Sequence, residues 1–383
     1  MKRGCIGMSG VLAAGALACA AASAQAQQTV FMPIVIEVSG AGAVSGTNFR
    51  DGALMAIDEV NAKGGILGRK INAPVSDTQS NPGISRAQVQ KAIDGNPYVI
   101  LGPVFSGSVK VNMVLAQQAE IPQFTGAEAA EITQMGNDYI FRTSFGQQAS
   151  MPKMAVFVAD GIKAKTVAFL WVNNDYGKGG RDVFFKEMAA RNIKIVADVS
   201  SESGQVDFAA DVVKLKSANA DAIFIYVNEE ECARVLREAR KQGVKTPIIG
   251  ETNVISQKVI DLAEGAANGV KGHVGLTADA PIKAVQAFQD KFQKRFKYLP
   301  DHNGIKGYTA VYAIKHATEK MGVFDRKLLA KTMHGITIKP EQEPGILMEA
   351  SWDAKGDIDR ISFLVEVVDG KQKVVQILPK LGK

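Results

Sequence analysis

The sequence predicts an α/β protein built from two parallel-sheet units. Short apolar runs alternate with amphipathic helical stretches along most of the chain, which is the pattern of repeated βαβ units. The alternation pauses around residues 138–151 and then starts again. The 383 residues, 46% of them hydrophobic, are enough for about two domains with cores of their own.

The elements can be assigned in order from these patterns. Helices are predicted at 49–62, 84–94, 109–119, 154–161, 180–191, 208–218, 232–242, 281–296, 307–321 and 326–334. Strands are predicted at 29–38, 70–76, 98–101, 121–124, 166–171, 193–199, 221–227 and 247–250. The end of the chain, from Gly345, is β-rich, and Asp369-Gly370 predicts a hairpin turn.

The stretch 98–128 holds the central βαβ unit. Two parallel strands joined by a helix end at the same edge of their sheet, so residues 106–108 and 125–127 should lie side by side there. Free backbone N–H groups and the start of a helix near Ser108 would suit an anion. Ser108 alone is explained equally well as an N-cap, whereas Ser106 has no such alternative.

The first residues have the parts of a secretory leader. Lys2 and Arg3 precede an Ala/Gly/Leu-rich run, 6–22, and small residues follow it. We therefore predict a signal peptide over residues 1–26 and an exported, periplasmic protein. Lipidation at Cys19 is the alternative for this end of the chain.

Composition argues against several classes of function. The formal net charge is +6, but the basic residues are scattered, so nucleic-acid binding is not expected. The four histidines are far apart and lack ligand spacing, so no metal and no cofactor are predicted. Cys232 is the single cysteine beyond the leader and is expected to be an inert thiol. Gly-x-Ser-x-Gly and phosphate-loop motifs are missing, which disfavours an enzyme.

Several motifs together resemble one family. The most specific is DEVNAKGGI at 58–66, followed by Gly68, and others are IFRT at 140–143, DYG at 175–177 and WDAKGD at 352–357. These motifs are similar to those of the periplasmic solute-binding proteins of ABC importers. The likeness is to the leucine/isoleucine/valine-binding branch with its type I fold, and it covers nearly the whole mature chain.

The resemblance implies two α/β lobes that are joined by three crossovers and close on a ligand in the cleft. The first lobe would comprise 27–144 plus 275–351, and the second 145–274 plus 352–383. It also implies a monomer that binds a small amino acid or carboxylate and delivers it to the membrane subunits of an ABC permease.

The resemblance further implies how an amino acid would be held. Its carboxylate would contact Ser106, Thr125 and Ala127 of the first lobe and Tyr176 of the second. An acidic residue for the ammonium group falls within one position of Glu251.

This chain departs from the branched-chain binders at three points. Glu128 lies beside an alanine that replaces a threonine, Asn228 replaces a tyrosine, and Ser45 replaces an aromatic residue. One residue of the run 229–231 is expected to face the cleft. The full candidate set is Ser45, Ser106, Ser108, Thr125, Ala127, Glu128, Tyr176, Asn228, Glu229 and Glu251.

The predicted function is capture of an amino acid for transport. The acidic residues at the strand ends favour a ligand that carries an amino group, because a buried carboxylate needs a partner. A sensor or regulatory receptor with the same fold, a binder of amides or aromatic acids, and an enzyme are the alternatives.

Overall fold

The computed structural model describes Met1 and residues 29–381, apart from residues 276 and 278. The predicted signal peptide lies outside the described residues except for Met1. The strands are, in chain order, β1 (Val30–Phe31), β2 (Ile34–Ile36), β3 (Ile71–Asn72), β4 (Val75–Asp77), β5 (Ile100–Leu101), β6 (Gln123–Thr125), β7 (Ile140–Arg142), β8 (Thr166–Val172), β9 (Lys194–Ser201), β10 (Ala222–Tyr226), β11 (Ile248–Gly250), β12 (Lys271–Val274), β13 (Thr337–Ile338), β14 (Ala350–Trp352), β15 (Ile358–Asp359), β16 (Ser362–Val368) and β17 (Lys371–Leu378).

Helices follow most of the strands, as expected for βαβ units. They are α1 (Ala43–Ala62), α2 (Pro82–Asp94), α3 (Ser106–Gln118), α4 (Glu131–Gln134), α5 (Gln147–Val156), α6 (Asp175–Ala190), α7 (Ala209–Ser217), α8 (Glu229–Lys241), α9 (Gln257–Leu262), α10 (Lys283–Phe296), α11 (His302–Met321) and α12 (Arg326–Met333). A π-helix covers Phe157–Ile162, and short 3₁₀ helices cover Thr252–Ile255 and Pro344–Ile346.

Two sheets define two lobes. The first lobe is built on a five-stranded parallel sheet in the order β4-β2-β5-β6-β7. The second lobe is built on a seven-stranded sheet in the order β17-β16-β12-β11-β10-β8-β9, parallel from β9 to β12 and antiparallel at β16 and β17. The chain passes between the two lobes after β7, after β12 and after β15, which gives the three crossovers of the predicted fold class. The last crossover follows Asp359 and not residue 351, because β15 pairs with β14 in a small sheet that also contains β13.

The βαβ unit predicted around the centre of the first lobe is confirmed. Strands β5 and β6 pair in parallel, with Leu101 opposite Phe124, and α3 connects them. The hairpin turn is confirmed as well, because Asp369 and Gly370 join β16 to β17 with φ angles of 51° and 72°. Positive φ at both positions is the geometry that a two-residue hairpin loop requires.

Several helices begin earlier in the chain than the sequence pattern predicted. Among them, helix α1 starts at Ala43 instead of residue 49, α6 at Asp175 instead of 180, and α8 at Glu229 instead of 232. Polar N-caps explain the starts of α6 and α8, since the side chain of Asn174 accepts from Gly177 N and that of Asn228 belongs to a capping box. The candidate residues Ser45, Tyr176 and Glu229 therefore lie in first helical turns.

Two predicted strands are each divided in two. The predicted strand 29–38 becomes β1 and β2, separated by Met32 and Pro33, and the strand 70–76 becomes β3 and β4, separated by Ala73 and Pro74. Proline has no backbone N–H to donate to a ladder, so it ends regular pairing at both points.

Close packing of α1 against α11 depends on glycine. A β-carbon at Gly52 would overlap the carbonyl oxygen of Gly304, and one at Gly307 would overlap that of Phe49. We expect Gly52→Ala to lower the free energy of unfolding by about 1–3 kcal/mol, because the helices must move apart. Urea denaturation measures this, with Gly83→Ala in the exposed first turn of α2 as the control. Equal stability of the two variants would contradict the packing argument.

Candidate ligand-binding site

A cavity of about 270 Å³ lies between the two lobes. The first turns of α1, α3 and α11 line it from the first lobe, and those of α6 and α8 line it from the second. Each helix N-terminus carries a partial positive charge and unpaired N–H groups. The predicted site residues that line the cavity are Ser45, Ser106, Ser108, Glu128, Tyr176, Asn228 and Glu229.

The start of α3 offers free donors to this cavity. Its N-cap, Phe105, supplies no side-chain cap. Within the described chain, the amides of Ser106, Gly107 and Ser108 donate to no acceptor. The amides just before them are occupied, because Val104 N and Phe105 N donate to the buried Glu37 at 3.0 and 3.2 Å. A ligand oxygen at the start of α3 would meet up to three unused N–H groups.

Two hydroxyl groups beside α3 are buried without partners. Ser108 Oγ and Tyr176 Oη have no hydrogen-bond partner among the residues that the structure describes. The ring of Tyr176 stacks on Tyr226, with 4.2 Å between the ring centroids. Burial raises the pKa of Tyr176 well above its usual value, so the hydroxyl remains a donor. Ser108 does not cap α3, because the N-cap is Phe105 and the Ser108 oxygen bonds no N–H group among the described residues.

Two of the predicted first-lobe contacts serve the loop instead. Thr125 Oγ1 donates to Pro103 O at 2.7 Å and accepts from Ala127 N at 3.1 Å, and neither Thr125 nor Ala127 lines the cavity. Ser106 does line it, and its Oγ accepts from Ala129 N at 3.1 Å, which leaves its own proton available for a ligand oxygen. The amide of Ala127 is thus already bonded, whereas Ser106 and Ser108 both keep a hydroxyl proton to donate.

Glu128 is paired with a lysine that the sequence reasoning missed. Lys306 Nζ lies 2.7 Å from Glu128 Oε1 and also donates to Asn303 Oδ1 at 3.2 Å and Gly126 O at 3.3 Å. These three acceptors use all three protons of the ammonium group. Burial raises the pKa of Glu128 to about 7. A lysine in the second turn of a buried helix, after the N-cap Asp301, was the available sequence signal.

Glu229 is the acid of the run 229–231 that lines the cavity. Its Oε1 accepts from the hydroxyl of Ser45 and from Asn303 Nδ2 at 3.4 Å. No basic side chain forms an ion pair with it in the described part of the chain. Burial raises the pKa of this carboxyl group. A buried carboxylate without a cation is suited to a positively charged ligand group.

The other two acids of the run have structural partners. Glu230 pairs with Arg234 at 3.1 Å near the surface. Glu231 accepts from Asn228 N at 3.1 Å and from Asn228 Nδ2 at 2.9 Å, which completes the capping box of α8. Asn228 therefore lines the cavity mainly as the residue that fixes the start of α8.

Glu251 lies outside the lining of the main cavity, contrary to the expectation that it faces the cleft. Its carboxylate bonds His273 Nδ1, and it accepts from Thr252 N at 2.7 Å and Thr252 Oγ1 at 2.6 Å. Burial alone would raise the pKa of Glu251, but these partners hold it below its ordinary value. The carboxylate of Glu251 is therefore already hydrogen-bonded inside the second lobe, which leaves it unavailable to the main cavity.

The lobes also touch at the mouth of the cavity. Lys110 of α3 pairs with Asp175 of α6 at 2.7 Å, and also with Glu131 at 2.6 Å. The bond between Ser45 and Glu229 crosses between the same lobes. Side-chain contacts across the cleft therefore join α3 to α6 and α1 to α8.

A metal site, a membrane span and a reactive thiol would each require particular features of the described residues. Among the described residues, no group of three or more His, Cys, Asp or Glu side chains could hold a metal ion. None of the described helices combines the length and apolarity of a membrane span. Cys232 is buried and forms no disulfide among the described residues, and burial raises the pKa of its thiol well above the ordinary value.

Known proteins of similar sequence and structure bind small molecules. A Leu, Ile, Val, Thr and Ala-binding protein from Pseudomonas aeruginosa is 28% identical over 372 residues, 95% of this chain and 96% of the relative. An isoleucine complex of a branched-chain amino acid transporter substrate-binding protein from Streptococcus pneumoniae superposes with a TM-score of 0.83 at 23% identity, covering 92% of this chain and 100% of that one.

A solute-binding protein of an ABC transporter from R. palustris, in complex with benzoate, has a TM-score of 0.84 at 20% identity and covers 93% of this chain and 98% of its own. These likenesses to solved structures establish the fold. The family model for periplasmic binding proteins matches residues 29–372, which is most of the described chain. The chain belongs to the periplasmic binding protein family.

Proposed function

We propose that this protein is the periplasmic substrate-binding component of an ABC importer and that it captures an amino acid between its lobes. The proposal rests on two complementary sets of groups that line the same cavity. Free N–H and hydroxyl donors lie at the start of α3 and at Tyr176, and the carboxylate of Glu229 has no cation as a partner among the described residues. A zwitterion presents the complementary groups. The names of the relatives from P. aeruginosa and S. pneumoniae support the same ligand class.

The carboxylate of the ligand would lie at the start of α3. There it would accept from the amides of 106–108 and from the hydroxyls of Ser108 and Tyr176. Hydrogen bonds to a charged group contribute roughly 1.5–3 kcal/mol each, and a 1 μM affinity requires about 8.2 kcal/mol. Three or four such bonds would suffice after the cost of ordering the lobes is included.

The ammonium group would pair with Glu229. This differs from the expectation for Glu251, whose carboxylate His273 and Thr252 occupy. Glu128 is a poorer candidate because Lys306 neutralises it. Contacts from both lobes to one small molecule are the basis for the proposed closure. The names of the relatives and structural neighbours, which include ABC transporter components, are the basis for the proposed delivery to an ABC permease, and we propose a monomer.

An aromatic acid is the second candidate ligand. It is favoured by Phe105 and Tyr176 in the lining and by the benzoate complex of the R. palustris protein. Such a ligand would leave Glu229 without a cation.

A thermal-shift panel distinguishes the two candidate ligands, an amino acid and an aromatic acid. At 100 times its dissociation constant a ligand adds about 2.7 kcal/mol to the free energy of unfolding. We expect amino acids to raise the melting temperature of protein freed of its bound solute by unfolding and refolding. If only amino-free acids raise it, the proposal of an amino-acid receptor is wrong.

Ser108→Ala tests the carboxylate site. We expect it to weaken amino-acid binding by roughly 1.5–3 kcal/mol, since a ligand oxygen loses a donor inside a closed cavity. Ser203→Ala is the matched control, because Ser203 lines the same cavity but is exposed and already accepts from Asn228 Nδ2 at 3.3 Å. Isothermal titration calorimetry that gives both variants the wild-type affinity would remove Ser108 from the site.

A further inference from the structure

Arg360 is a buried cation without a partner. It follows β15 directly, and only 2% of its surface is exposed. Its Nε and Nη1 atoms are fully buried, and its guanidinium group donates no hydrogen bond to any residue that the structure describes. The nearest aromatic face is that of Phe145, 5.7 Å from the guanidinium carbon.

A second buried arginine shows what is missing at Arg360. Arg142 is also fully buried, but its Nε donates to Asp357 at 2.7 Å, and its other nitrogens donate to the carbonyl oxygens of Ala127 and Ala129. Guanidinium groups keep their charge at neutral pH, and a buried charge is strongly destabilising unless it is paired and hydrogen-bonded. Burial lowers the pKa of Arg360 only to about 10, so it remains a cation.

The guanidinium group lines a small inner cavity of about 10 Å³. Glu128, His302 and Lys306 line both this cavity and the larger one, so the two cavities adjoin. A volume of this size holds about one water-sized particle. An anionic oxygen or a halide ion would fit beside Arg360.

The described lining of the inner cavity offers no free acid to Arg360. Glu128 lines this cavity but is paired with Lys306. Asp359 precedes Arg360 and has a buried carboxylate oxygen without a partner, but it forms no ion pair with Arg360 among the described residues and does not line the cavity. The hydroxyl of Ser144, which also lines the inner cavity, donates to Ala127 O at 2.8 Å. The described lining therefore provides a positive charge and no free carboxylate beside it.

We propose that Arg360 binds a small anionic group in the inner cavity, next to the ligand site. Two sources have the required chemistry. One is the side-chain carboxylate of an acidic amino acid held in the main cavity, which makes Arg360 a specificity-determining residue. The other is a free halide ion. The first source depends on the proposed function, whereas the second does not.

The ligand source is tested with pairs of nearly equal size, aspartate against asparagine and glutamate against glutamine. Calorimetry is done on the full mature chain in a chloride-free buffer. We expect the acid of one pair to bind at least ~10-fold more tightly than its amide, because one charge-assisted hydrogen bond is worth that factor. Arg360→Met should abolish this preference while amide binding stays within about threefold.

The halide source is tested with sodium bromide. Bromide is expected to raise the melting temperature of the wild type but not of Arg360→Met, and to give an anomalous scattering peak beside Arg360 in soaked crystals. Arg191→Met is the control, because Arg191 has its own partner, Glu187, on α6 and should respond to bromide as the wild type does.

Either Arg360-dependent effect supports an anion at this position. The proposal is overturned if acids and amides bind equally and bromide neither stabilises the protein nor appears beside Arg360. If Arg360→Met does not fold, the presence or absence of an anomalous bromide peak beside Arg360 in wild-type crystals still decides the proposal. If no amino acid binds at all, the proposed function fails while the bromide experiment still decides the role of Arg360.

Discussion

Replacing Arg142 with methionine is expected to lower the free energy of unfolding by about 3–5 kcal/mol. Arg142 ends β7 and is completely buried. Its Nε donates to Asp357 at 2.7 Å, Nη1 to Ala127 O at 2.7 Å, and Nη2 to Ala129 O at 3.0 Å. The substitution keeps much of the volume but leaves Asp357 without its cation and removes one donor each from the carbonyl oxygens of Ala127 and Ala129. Breaking one partner of a buried pair is costly for this reason.

Urea denaturation of the wild type and the variant measures this loss. Arg295→Met is the control, since its pair with Asp58 is exposed on both sides and should contribute no more than about 1 kcal/mol. The double variant Arg142→Met/Asp357→Asn should recover part of the stability, because it removes the unpaired charge as well. Equal stability of Arg142→Met and Arg295→Met would show that the buried network is dispensable.

Glu229→Gln is expected to have the largest effect on ligand affinity. The substitution keeps the size of the side chain and its contact with Ser45 but removes the charge proposed to pair with the ammonium group. Removing one partner of a buried charge pair costs about 2–5 kcal/mol, which raises the dissociation constant roughly 30-fold or more. An analogue of the same amino acid without its amino group should bind both proteins with similar affinity.

Glu230→Gln is the matched control, because Glu230 is the next residue and pairs with Arg234 near the surface. The pH profile gives an independent check. Burial raises the pKa of Glu229, so this carboxyl takes up a proton at a higher pH than an exposed glutamate does. Wild-type affinity should therefore decline as the pH falls, and Glu229→Gln should weaken this decline. Identical affinities for Glu229→Gln and Glu230→Gln would refute the ammonium assignment.

Much of the fold could be predicted because its information is local. The apolar runs near Leu101 and Phe124, and the amphipathic run between them, indicated β5, α3 and β6 without any knowledge of distant contacts. Helix starts were harder to predict. The glycines near Ser45 disfavour a helix locally, yet α1 begins at Ala43 because tertiary packing against β2 and α11 outweighs that preference.

The charged groups of the site could not be assigned from the sequence. The sequence pattern placed Glu128, Glu229 and Glu251 in loops at strand ends expected to face the cleft, but it gave no sign of their partners. Lys306 lies 178 residues from Glu128, and His273 lies 22 from Glu251. Whether a carboxylate is free for a ligand depends on such distant neighbours. Of these three acids, only Glu229 has neither a lysine nor a histidine as a side-chain partner among the described residues.

The bond from Ser45 to Glu229 has a kinetic consequence. Glu229, which is proposed to face the ligand, also accepts a hydrogen bond from the other lobe. The ion pair of Lys110 with Asp175 is a second contact between the lobes. In the proposed receptor a ligand enclosed between the lobes would be released when these two contacts break, so their lifetime would limit its residence time. A membrane complex that pulls α1 away from α8 would shorten that lifetime, and unloading would then occur at the membrane and seldom in free solution.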